Sequence, residues 1–382
     1  MIKKVFPILA LCVFSSTLGI GIVSPLLPLY VKDMGATGVW LGIIIAAYFL
    51  SNSVCVPIAG RLSDRRGRKL FLTVGLLAYS IISLGYLWAS NVSHLALTRL
   101  AHGVAGAMTI PIAMAYLGDL SPEGEEGKWM GFANAAFFSG FGFGPLLGGV
   151  VTEHFGMTAA FLSMSGFNML AFLIALIFLP EVSYRRTSEE FYLPFREMSA
   201  SSMIRGLFSF RLAQALGRGG IATFLPIFAS MIGLRLSLIG TLITINILSV
   251  TLFIPLGGII ADKFNRRILI IIGSIFFSLL MVAIPLANSF GQLLVVLLIQ
   301  GLSAAFSMPA ATALNVEEGR KFGMGSTMGI FFLAMGVGQA VGPIMSGVIA
   351  DWLDINSVFY FGAVLGLIGT SLFIWFTRRY HG

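Results

Sequence analysis

Apolar residues occur in twelve long runs along this chain, and short polar segments separate the runs. A run of about 20 apolar residues is long enough to cross a bilayer as a helix. Strands of a membrane β-barrel would instead alternate apolar and polar residues over about ten positions, a pattern that this sequence lacks. The runs cover residues 5–31, 38–59, 70–90, 94–118, 129–151, 157–180, 205–231, 237–261, 268–287, 291–315, 323–350 and 356–377. They predict an all-α integral membrane protein with twelve transmembrane helices.

Landmarks in the first half of the chain return 198 residues later. The landmarks with a counterpart at this spacing are the Leu27-Pro28 pair, Gly60, Asp64, Asp119, the run 144–149 and Glu153. A constant offset indicates a duplicated unit. We therefore expect two pseudo-symmetric six-helix bundles at residues 1–180 and 205–382, joined by a linker at 181–204. Membrane proteins built from repeats are often solute transporters, with the substrate site near mid-membrane between the repeats.

Composition and the placement of charge agree with a membrane protein. Hydrophobic residues make up 57% of the chain and charged residues 10%, whereas soluble domains are about 25% charged. The net charge is +8, and 19 of the 24 Lys and Arg residues fall in loops assigned to one side of the membrane. Because Lys and Arg mark the cytoplasmic side, we expect a multi-pass protein of the cell membrane with cytoplasmic termini and linker. Basic groups spread over such short loops argue against a nucleic-acid partner.

Few side chains have the arrangement that catalysis or a cofactor would need. Both cysteines, Cys12 and Cys55, lie within apolar runs, so neither a disulfide nor a metal site is expected. The sequence has no Gly-x-x-x-x-Gly-Lys-Ser/Thr motif, so ATP would not drive the protein directly. It also has no nucleophile–base set. We expect a monomer that is not an enzyme, without catalytic residues, metal or cofactor.

The loop between the second and third runs carries the most specific motif. It reads Gly60-x-x-x-Asp64-Arg65-Arg66-Gly67-Arg68-Lys69. Glycines let the backbone turn sharply. The aspartate can interact with the N-terminus of a helix, and the basic side chains can donate hydrogen bonds to a carboxylate. From residue type alone, a basic loop that only fixes topology is the alternative. The complete pattern resembles the loop signature of the major facilitator superfamily, Gly-x-x-x-Asp-Arg-x-Gly-Arg-Arg/Lys, and a weaker echo follows at residues 258–267.

The resemblance covers all twelve runs and implies the major facilitator fold. In that family the loop stabilises the outward-facing state. The resemblance implies that Asp64 lies near Gly325 and Ser326 at the start of span eleven, and that Arg68 pairs with Asp119 at the end of span four. The residues with an implied locking role are Gly60, Asp64, Arg65, Gly67, Arg68, Asp119 and Asp262.

Two further motifs favour export over import. Span five contains Gly140-x-x-x-Gly144-Pro145-x-x-Gly148-Gly149. Glycines four residues apart share one helix face and allow close packing, a structural role found in many membrane helices. The complete pattern resembles the superfamily's antiporter motif, which exporters carry. The Pro25-x-x-Pro28 pair of span one resembles the first-helix motif of twelve-helix drug–proton antiporters.

Span four contains Arg99-x-x-His102-Gly103, which resembles the family motif Arg-x-x-Gln-Gly. The family role of the arginine is proton coupling, so the resemblance suggests that role for Arg99. His102 can titrate near neutral pH, or it can replace the glutamine as a hydrogen-bonding residue. Because every acidic residue maps to a loop or a span end, Asp33 and Asp119 are the peripheral carboxylates expected to take part in coupling.

Arginines inside the spans are a further unusual feature. A charge at mid-helix costs about 2.5–3.5 kcal/mol on insertion scales. We expect Arg211 to extend to the cytoplasmic surface. We expect Arg218 to face a watery cavity and to favour anionic, zwitterionic or neutral amphipathic substrates; backbone carbonyls or water are its alternative partners. The candidates for substrate contact are Arg218, Gln214, Asn134, Phe138, Asn246, Gln300 and Gln339. Helix-to-helix hydrogen bonding or lipid contact is the alternative role of these residues.

Together these patterns predict a secondary-active exporter that exchanges small amphipathic compounds or drugs for protons. Its partners would be a small-molecule substrate, protons and the lipid bilayer. Export of one defined metabolite, such as a sugar, an amino acid or a lipid-linked compound, is the alternative within transport. A membrane sensor that does not transport is the alternative from another class.

Overall fold

The computed structural model describes residues 2–122, 125–181, 195–322 and 324–378. Over these ranges the chain is helical, with two short 3-10 turns and no β-strand. The helices are α1 (Ile2–Asp33), α2 (Gly38–Arg66), α3 (Arg68–Leu84), α4 (Val92–Ala107), α5 (Ile110–Leu120), α6 (Glu126–Phe178), α7 (Phe195–Ala200), α8 (Ser202–Met231), α9 (Leu236–Lys263), α10 (Arg266–Ala283), α11 (Phe290–Phe322), α12 (Met324–Trp352) and α13 (Ile355–Thr377).

The described part of the chain contains twelve membrane spans, as the hydrophobic pattern predicts. Eleven helical segments in the described part of the chain are long and apolar enough to cross a membrane. One of them, Lys128–Phe178, contains 51 residues, whereas about 20 residues suffice for one crossing. Gly156, at φ 81° and ψ 167°, interrupts the helical backbone of this segment. Helix α6 therefore supplies spans five and six, and the loop between them is reduced to a kink at a glycine.

Span four is divided into α4 and α5 near Thr109. Pro111 lies in the first turn of α5, where a missing N–H costs little because that group has no partner inside the helix. Continuing α4 through this proline would instead remove a hydrogen bond from the helix interior. The division places Arg99 and His102 in α4 and Asp119 near the end of α5.

The contacts divide the chain into two units. Unit 1 contains Met1–Ala36, Ile43–Thr187 and Leu234–Thr244. Unit 2 contains Thr37–Gly42, Ser188–Gly233 and Ile245–Gly382. In each unit we call one end the basic end, where α2 meets α3 in unit 1 and where α9 meets α10 in unit 2. The other end of each unit is called the opposite end.

Each unit has its own apolar core, and large apolar side chains also cover its outside. Leu72, Leu76 and Tyr116 are fully buried in unit 1, and Ile270 and Phe373 are fully buried in unit 2. Large apolar side chains that are exposed include Leu50, Leu170, Ile177, Leu252, Ile259 and Val364. Apolar residues on both the inside and the outside of a helix bundle are expected where lipid replaces water around it.

Candidate functional site

Arg68 joins three helix termini at the basic end of unit 1. Its Nε donates a hydrogen bond to Asp119 Oδ2 at 3.0 Å, and its Nη1 donates to Ser63 Oγ at 2.9 Å. Its Nη2 lies 2.5 Å from Asp64 Oδ1. Only 11% of the Arg68 side chain and 8% of the Asp119 side chain are exposed, so water screens this pair less than it screens a surface pair. We call these four residues the Arg68 network.

Gly67 turns the chain between α2 and α3 and so sets the position of Arg68. Its φ of 101° and ψ of 139° are adopted readily only by glycine. By contrast, a β-carbon at Gly60 would meet no atom within 4 Å, and the Arg65 side chain is exposed. The expected approach of Asp64 to residues 325 and 326 involves side chains outside the described part of the chain.

The same contacts recur at the basic end of unit 2. The guanidinium of Arg266 donates a hydrogen bond to Glu317, and its Nη2 lies 3.4 Å from Asp262 Oδ1. These three residues, which we call the Arg266 network, follow Arg68, Asp119 and Asp64 by 198 positions each. They are more exposed than their counterparts, at 26% for Arg266, 38% for Glu317 and 75% for Asp262.

The predicted antiporter motif forms the tight packing face of α6 against α1. A β-carbon at Gly144 would lie 2.5 Å from the Gly21 Cα, and one at Gly148 would lie 2.5 Å from the Ile22 carbonyl oxygen. Gly140 packs equally closely against the backbone of α1 near Phe14. The helices can approach this closely only because these positions lack side chains.

The motif also packs against the first turns of α9, which belong to unit 1. Gly149 approaches the backbone at Leu236, and the Pro145 carbonyl approaches Gly240. The Leu146 N–H donates to Thr244 Oγ1 at 3.1 Å.

Two carboxylates at the opposite ends accept hydrogen bonds from helix starts. In unit 2, Asp351 accepts from the N–H groups of Gly38 and Val39 at 2.5 and 2.9 Å. In unit 1, Glu153 accepts from the N–H group of Ser237 at 3.1 Å. The first N–H groups of a helix have no partner inside the helix, and a carboxylate also interacts favourably with the positive end of the helix dipole. The sequence revealed this pair only as landmarks 198 residues apart, and the capping role was not recognised.

Arg99 and His102, both in α4, lie in a buried polar cluster of unit 1 that also includes residues of α2, α3 and the 3-10 turn Gly85–Leu87. The Arg99 side chain is 5% exposed, and its guanidinium carbon lies 4.7 Å from the centre of the Tyr48 ring. His102 is fully buried; its Nδ1 lies 3.1 Å from the Tyr86 hydroxyl and its Nε2 lies 3.2 Å from Ser83 Oγ. Both ring nitrogens of His102 thus have hydrogen-bond partners. A buried glutamine at this position would need partners for its amide in the same way. Asp33 lies apart from this cluster, exposed at the end of α1.

Arg211 does not extend to the surface, so that expectation is wrong. The side chain is only 7% exposed. Its Nη1 lies 2.8 Å from the sulfur of Met308, and its Nη2 lies 2.6 Å from the sulfur of Met335. The guanidinium also lies 5.0 Å from the Phe331 ring centre, and Nη1 lies 3.4 Å from Gln214 Oε1. We call these five residues the Arg211 cluster. Sequence counting missed it because the partners come from α11 and α12, far away in the chain.

The other candidates for substrate contact occupy varied environments. Arg218 is half-buried, with its guanidinium carbon 6.0 Å from the Phe277 ring centre. Asn246 donates from Nδ2 to the Leu297 carbonyl at 2.7 Å, a helix-to-helix bond. Gln300 is 3% exposed, and its Nε2 has no hydrogen-bond partner among the described residues.

Two of the remaining candidates lie in unit 1 and one lies in unit 2. In unit 1, Asn134 is exposed, and Phe138 packs edge-to-face on Phe137 with ring centres 5.2 Å apart. In unit 2, Gln339 is half-buried in α12.

Unit 2 contains a cavity of about 690 Å³. It is lined by Ile254, Arg266, Met308, Pro309, Thr312, Ala313, Val316, Glu317 and Arg320. The wall therefore combines an apolar stretch with two arginines and one glutamate. Met308 belongs both to this wall and to the Arg211 cluster. Among the described residues no group of three or more His, Cys, Asp or Glu side chains is placed to hold a metal ion.

Known proteins share this organisation. The sequence model of a family described as Major Facilitator Superfamily matches residues 9–213 and 207–382. The chain is 28% identical to multidrug resistance protein 2 of Bacillus subtilis over 389 aligned residues, covering 99% of this chain and 96% of that protein. It is 34% identical to the quinolone resistance protein NorA of Staphylococcus aureus over 188 residues, covering 49% and 48%. A solved bacterial homologue of the human lysosomal transporter Spinster superposes with a TM-score of 0.83 at 14% identity, covering 99% of this chain and 97% of that one.

Proposed function

The chain belongs to the major facilitator superfamily of membrane transporters, and from that premise we propose that it is a proton-coupled exporter of small amphipathic compounds. In this proposal the protein works as a monomer in the cell membrane, with both termini cytoplasmic, and exchanges its substrate for protons by alternating access. Residues 1–180 and 205–382 are the two moving bundles, and residues 181–204 link them.

The observation that carries the proposal is the duplicated arginine–carboxylate network at the basic ends. Arg68 and Arg266 each hold two carboxylates that belong to different helix termini. Such networks can form in one conformation and break in another, as switching proteins require. The Arg68 network is the more buried of the two and would make the larger contribution to the preference between conformations.

The direction of transport rests on two independent supports. Multidrug resistance protein 2 of Bacillus subtilis aligns with nearly the whole chain, and export of drugs from the cell is one way in which a transporter can confer resistance. The second support is the motif of span five, which matches the pattern that antiporters of this family carry. Its residues are Gly140, Gly144, Pro145, Gly148 and Gly149. Close packing at this motif would keep α1 and α6 together as one rigid element while other contacts change.

We assign proton coupling to the Arg99–His102 motif together with Asp33 and Asp119; in this motif Arg99 supplies the charge, and His102 acts as a hydrogen-bonding residue in place of glutamine. We assign substrate contact to the polar and aromatic side chains in the spans. The substrate-contact residues in this assignment are Arg218, Gln214, Asn134, Phe138, Asn246, Gln300 and Gln339. Arg99 lies in a buried aromatic environment, where a positive charge acts on a nearby proton site more strongly than in water.

Purified protein in liposomes with an imposed pH gradient tests the proposal. A panel of cationic, neutral and anionic dyes, drugs and metabolites would be added while the internal pH is followed with a trapped indicator. We expect at least one compound to move against its gradient and to dissipate the pH gradient in proportion. Substrate movement that ignores the pH gradient would show that proton coupling is wrong, and a uniporter would then describe the protein better.

Export of one defined anionic metabolite is the second candidate. Arg211 and Arg218 are both in the interior of span seven and support it, since a drug exporter for cations would gain nothing from them. The same panel separates the two candidates, because a metabolite exporter would transport one chemical class and leave the dyes untouched.

A further inference from the structure

Arg211 is charged and buried, and its donors meet two thioether sulfurs and one distant amide oxygen, that of Gln214 at 3.4 Å from Nη1. Thioether sulfurs are poor hydrogen-bond acceptors, yet the sulfurs of Met308 and Met335 are the nearest partners of Nη1 and Nη2. Nε has no hydrogen-bond partner among the described residues. A buried guanidinium normally requires an anionic partner to offset its loss of hydration. The cluster is therefore short of one anion.

No carboxylate among the described residues lies within ion-pair distance of Arg211, and Glu317 in the wall of the nearby cavity pairs with Arg266 instead. Among the residues that the structure describes, no carboxylate forms an ion pair with Arg211 or Arg218. Arg211, Gln214 and Arg218 are spaced three and four residues apart, so they lie along one face of α8. Gln214 is 4% exposed, and its Nε2 has no described partner either. One helix face thus carries two cations, and on the same face the Nε of Arg211 and the Nε2 of Gln214 have no hydrogen-bond partner among the described residues.

A cavity adjoins this cluster through Met308. The 690 Å³ cavity of unit 2 includes Met308 in its wall, together with apolar side chains of Ile254, Pro309, Ala313 and Val316. A methionine side chain is unbranched and adapts easily to new neighbours. A rotation of Met308 would open Arg211 to the cavity. The apolar cavity wall could then contact the hydrophobic part of a ligand, and the guanidinium of Arg211 could donate hydrogen bonds to the ligand's polar group.

We propose that unit 2 contains a binding site for amphipathic anions, in which a carboxylate, sulfonate or phosphate group displaces the thioethers of Met308 and Met335 from Arg211. The apolar body of the ligand packs in the cavity against Pro309, Ala313 and Val316. This assignment rests on the proposed function and deepens it by naming the chemical class of the substrate. Arg218, two turns further along α8, adds a second positive charge to the same face.

Binding measurements with purified full-length protein in phosphatidylcholine nanodiscs test the site without any pH gradient. The probes are a medium-chain fatty carboxylate with a terminal dansyl fluorophore and its primary amide, which has the same shape without the charge. We expect the wild-type protein to bind the carboxylate about tenfold or more tightly than the amide, because hydrogen bonds to charged groups are the strong ones. Absence of any preference in the wild-type protein would overturn the proposal.

Three variants connect the preference to Arg211. Arg211→Gln should bind both probes with similar affinity, and Arg211→Lys should be intermediate because lysine lacks the planar fork. Arg205→Gln is the matched control, because Arg205 lies on the same helix with an exposed side chain and should leave the preference unchanged. A preference for the carboxylate that persists in Arg211→Gln would overturn the proposal.

Met308→Glu decides the matter if Arg211→Gln does not fold. The new carboxylate would pair with Arg211 from inside the protein, so this variant should be at least as stable as the wild type. It should also lose its affinity for the carboxylate probe and retain its affinity for the amide. Retained binding of the carboxylate by Met308→Glu would contradict the site.

Two sources could supply such an anion, an amphipathic solute or an anionic lipid. Adding phosphatidylglycerol to the nanodiscs should displace the carboxylate probe if lipid is the occupant, and should leave the probe bound if a solute is. Because binding is measured without a gradient, failure here is distinct from failure of proton-driven export in liposomes.

Discussion

The Nε of Arg68 donates a hydrogen bond to Asp119 at 3.0 Å, and both side chains are largely buried. The corresponding contact 198 residues later joins Arg266 to Glu317, but there 38% of the glutamate side chain is exposed. The duplication has therefore kept the contact while changing its environment. Since a buried ion pair responds much more strongly to the loss of one partner than an exposed pair does, the two copies offer a built-in comparison.

We expect Asp119→Asn to impair transport severely and Glu317→Gln to impair it little. Removing one partner of a buried pair costs about 3–5 kcal/mol, whereas exposed pairs contribute about 0–1 kcal/mol. If one conformation loses the larger of these two free energies, the equilibrium between the conformations shifts almost completely to the other conformation. Initial rates in liposomes, at matched protein incorporation, measure the effect. Equal rates for the two variants would show that the Arg68 network has no special role.

Gly144→Ala should destabilise the protein by about 1–3 kcal/mol through overpacking. The added β-carbon would meet the Gly21 Cα at 2.5 Å and the Leu18 carbonyl at 2.7 Å, and backbone atoms cannot move aside as a flexible side chain can. Gly166→Ala is the matched control in the same helix, because a β-carbon there would meet no atom within 4 Å. That control should be neutral or stabilising by about 0.5–1 kcal/mol, since alanine favours helix. Thermal unfolding in detergent compares the two; equal melting temperatures would contradict the packing argument.

The twelve spans could be predicted from the sequence because membrane helices must be long and apolar, and this pattern is local. The pairing of Arg68 with Asp119 was expected from the family resemblance, and the two side chains are in hydrogen-bond contact. The Arg211 cluster could not be predicted, because its sulfur ligands come from α11 and α12 and no local pattern specifies which helices become neighbours. The capping roles of Glu153 and Asp351 were missed for the same reason, since their partners lie 84 and more than 300 residues away.

Asp351→Ala should release the start of α2 from unit 2. Asp351 accepts two hydrogen bonds from Gly38 and Val39, whereas Glu153 accepts one from Ser237. Helix caps of this kind contribute about 0.5–2 kcal/mol. Amide hydrogen exchange at residues 38–42 should therefore be faster in Asp351→Ala than in the wild type. This increase should be larger than the increase at residues 237–241 in Glu153→Ala. Unchanged protection at residues 38–42 would show that packing alone holds this segment.

The start of α13 should lose stability at low pH through Asp354. This carboxylate accepts a hydrogen bond from the Ser357 N–H at 2.6 Å, and the bonds from Ser357 lower the pKa of Asp354 below its ordinary value. A lowered folded-state pKa means that the stabilisation is present above the unfolded-state pKa of about 3.9. It is lost as the pH falls through the folded-state pKa.

Two substitutions separate the charge of Asp354 from its capping role. Asp354→Asn should keep most of the cap and remove its pH dependence, because asparagine also caps helices well. Asp354→Ala should cost about 1 kcal/mol at neutral pH. Melting temperatures in detergent between neutral and acidic pH measure both effects; a pH dependence that survives in Asp354→Asn would assign it to other carboxylates.

Arg99→Ala should abolish gradient-driven export, whereas His102→Gln should preserve it. Arg99 carries the charge of its buried cluster and stacks on Tyr48 at 4.7 Å, so its removal takes away the field that would act on a proton site. His102 uses both ring nitrogens to contact Tyr86 and Ser83, and glutamine offers one donor and one acceptor group for the same two hydroxyls. The measurement is substrate efflux as a function of the imposed pH gradient. His102→Gln protein that still transports its substrate but no longer responds to the gradient would instead make His102 the proton carrier.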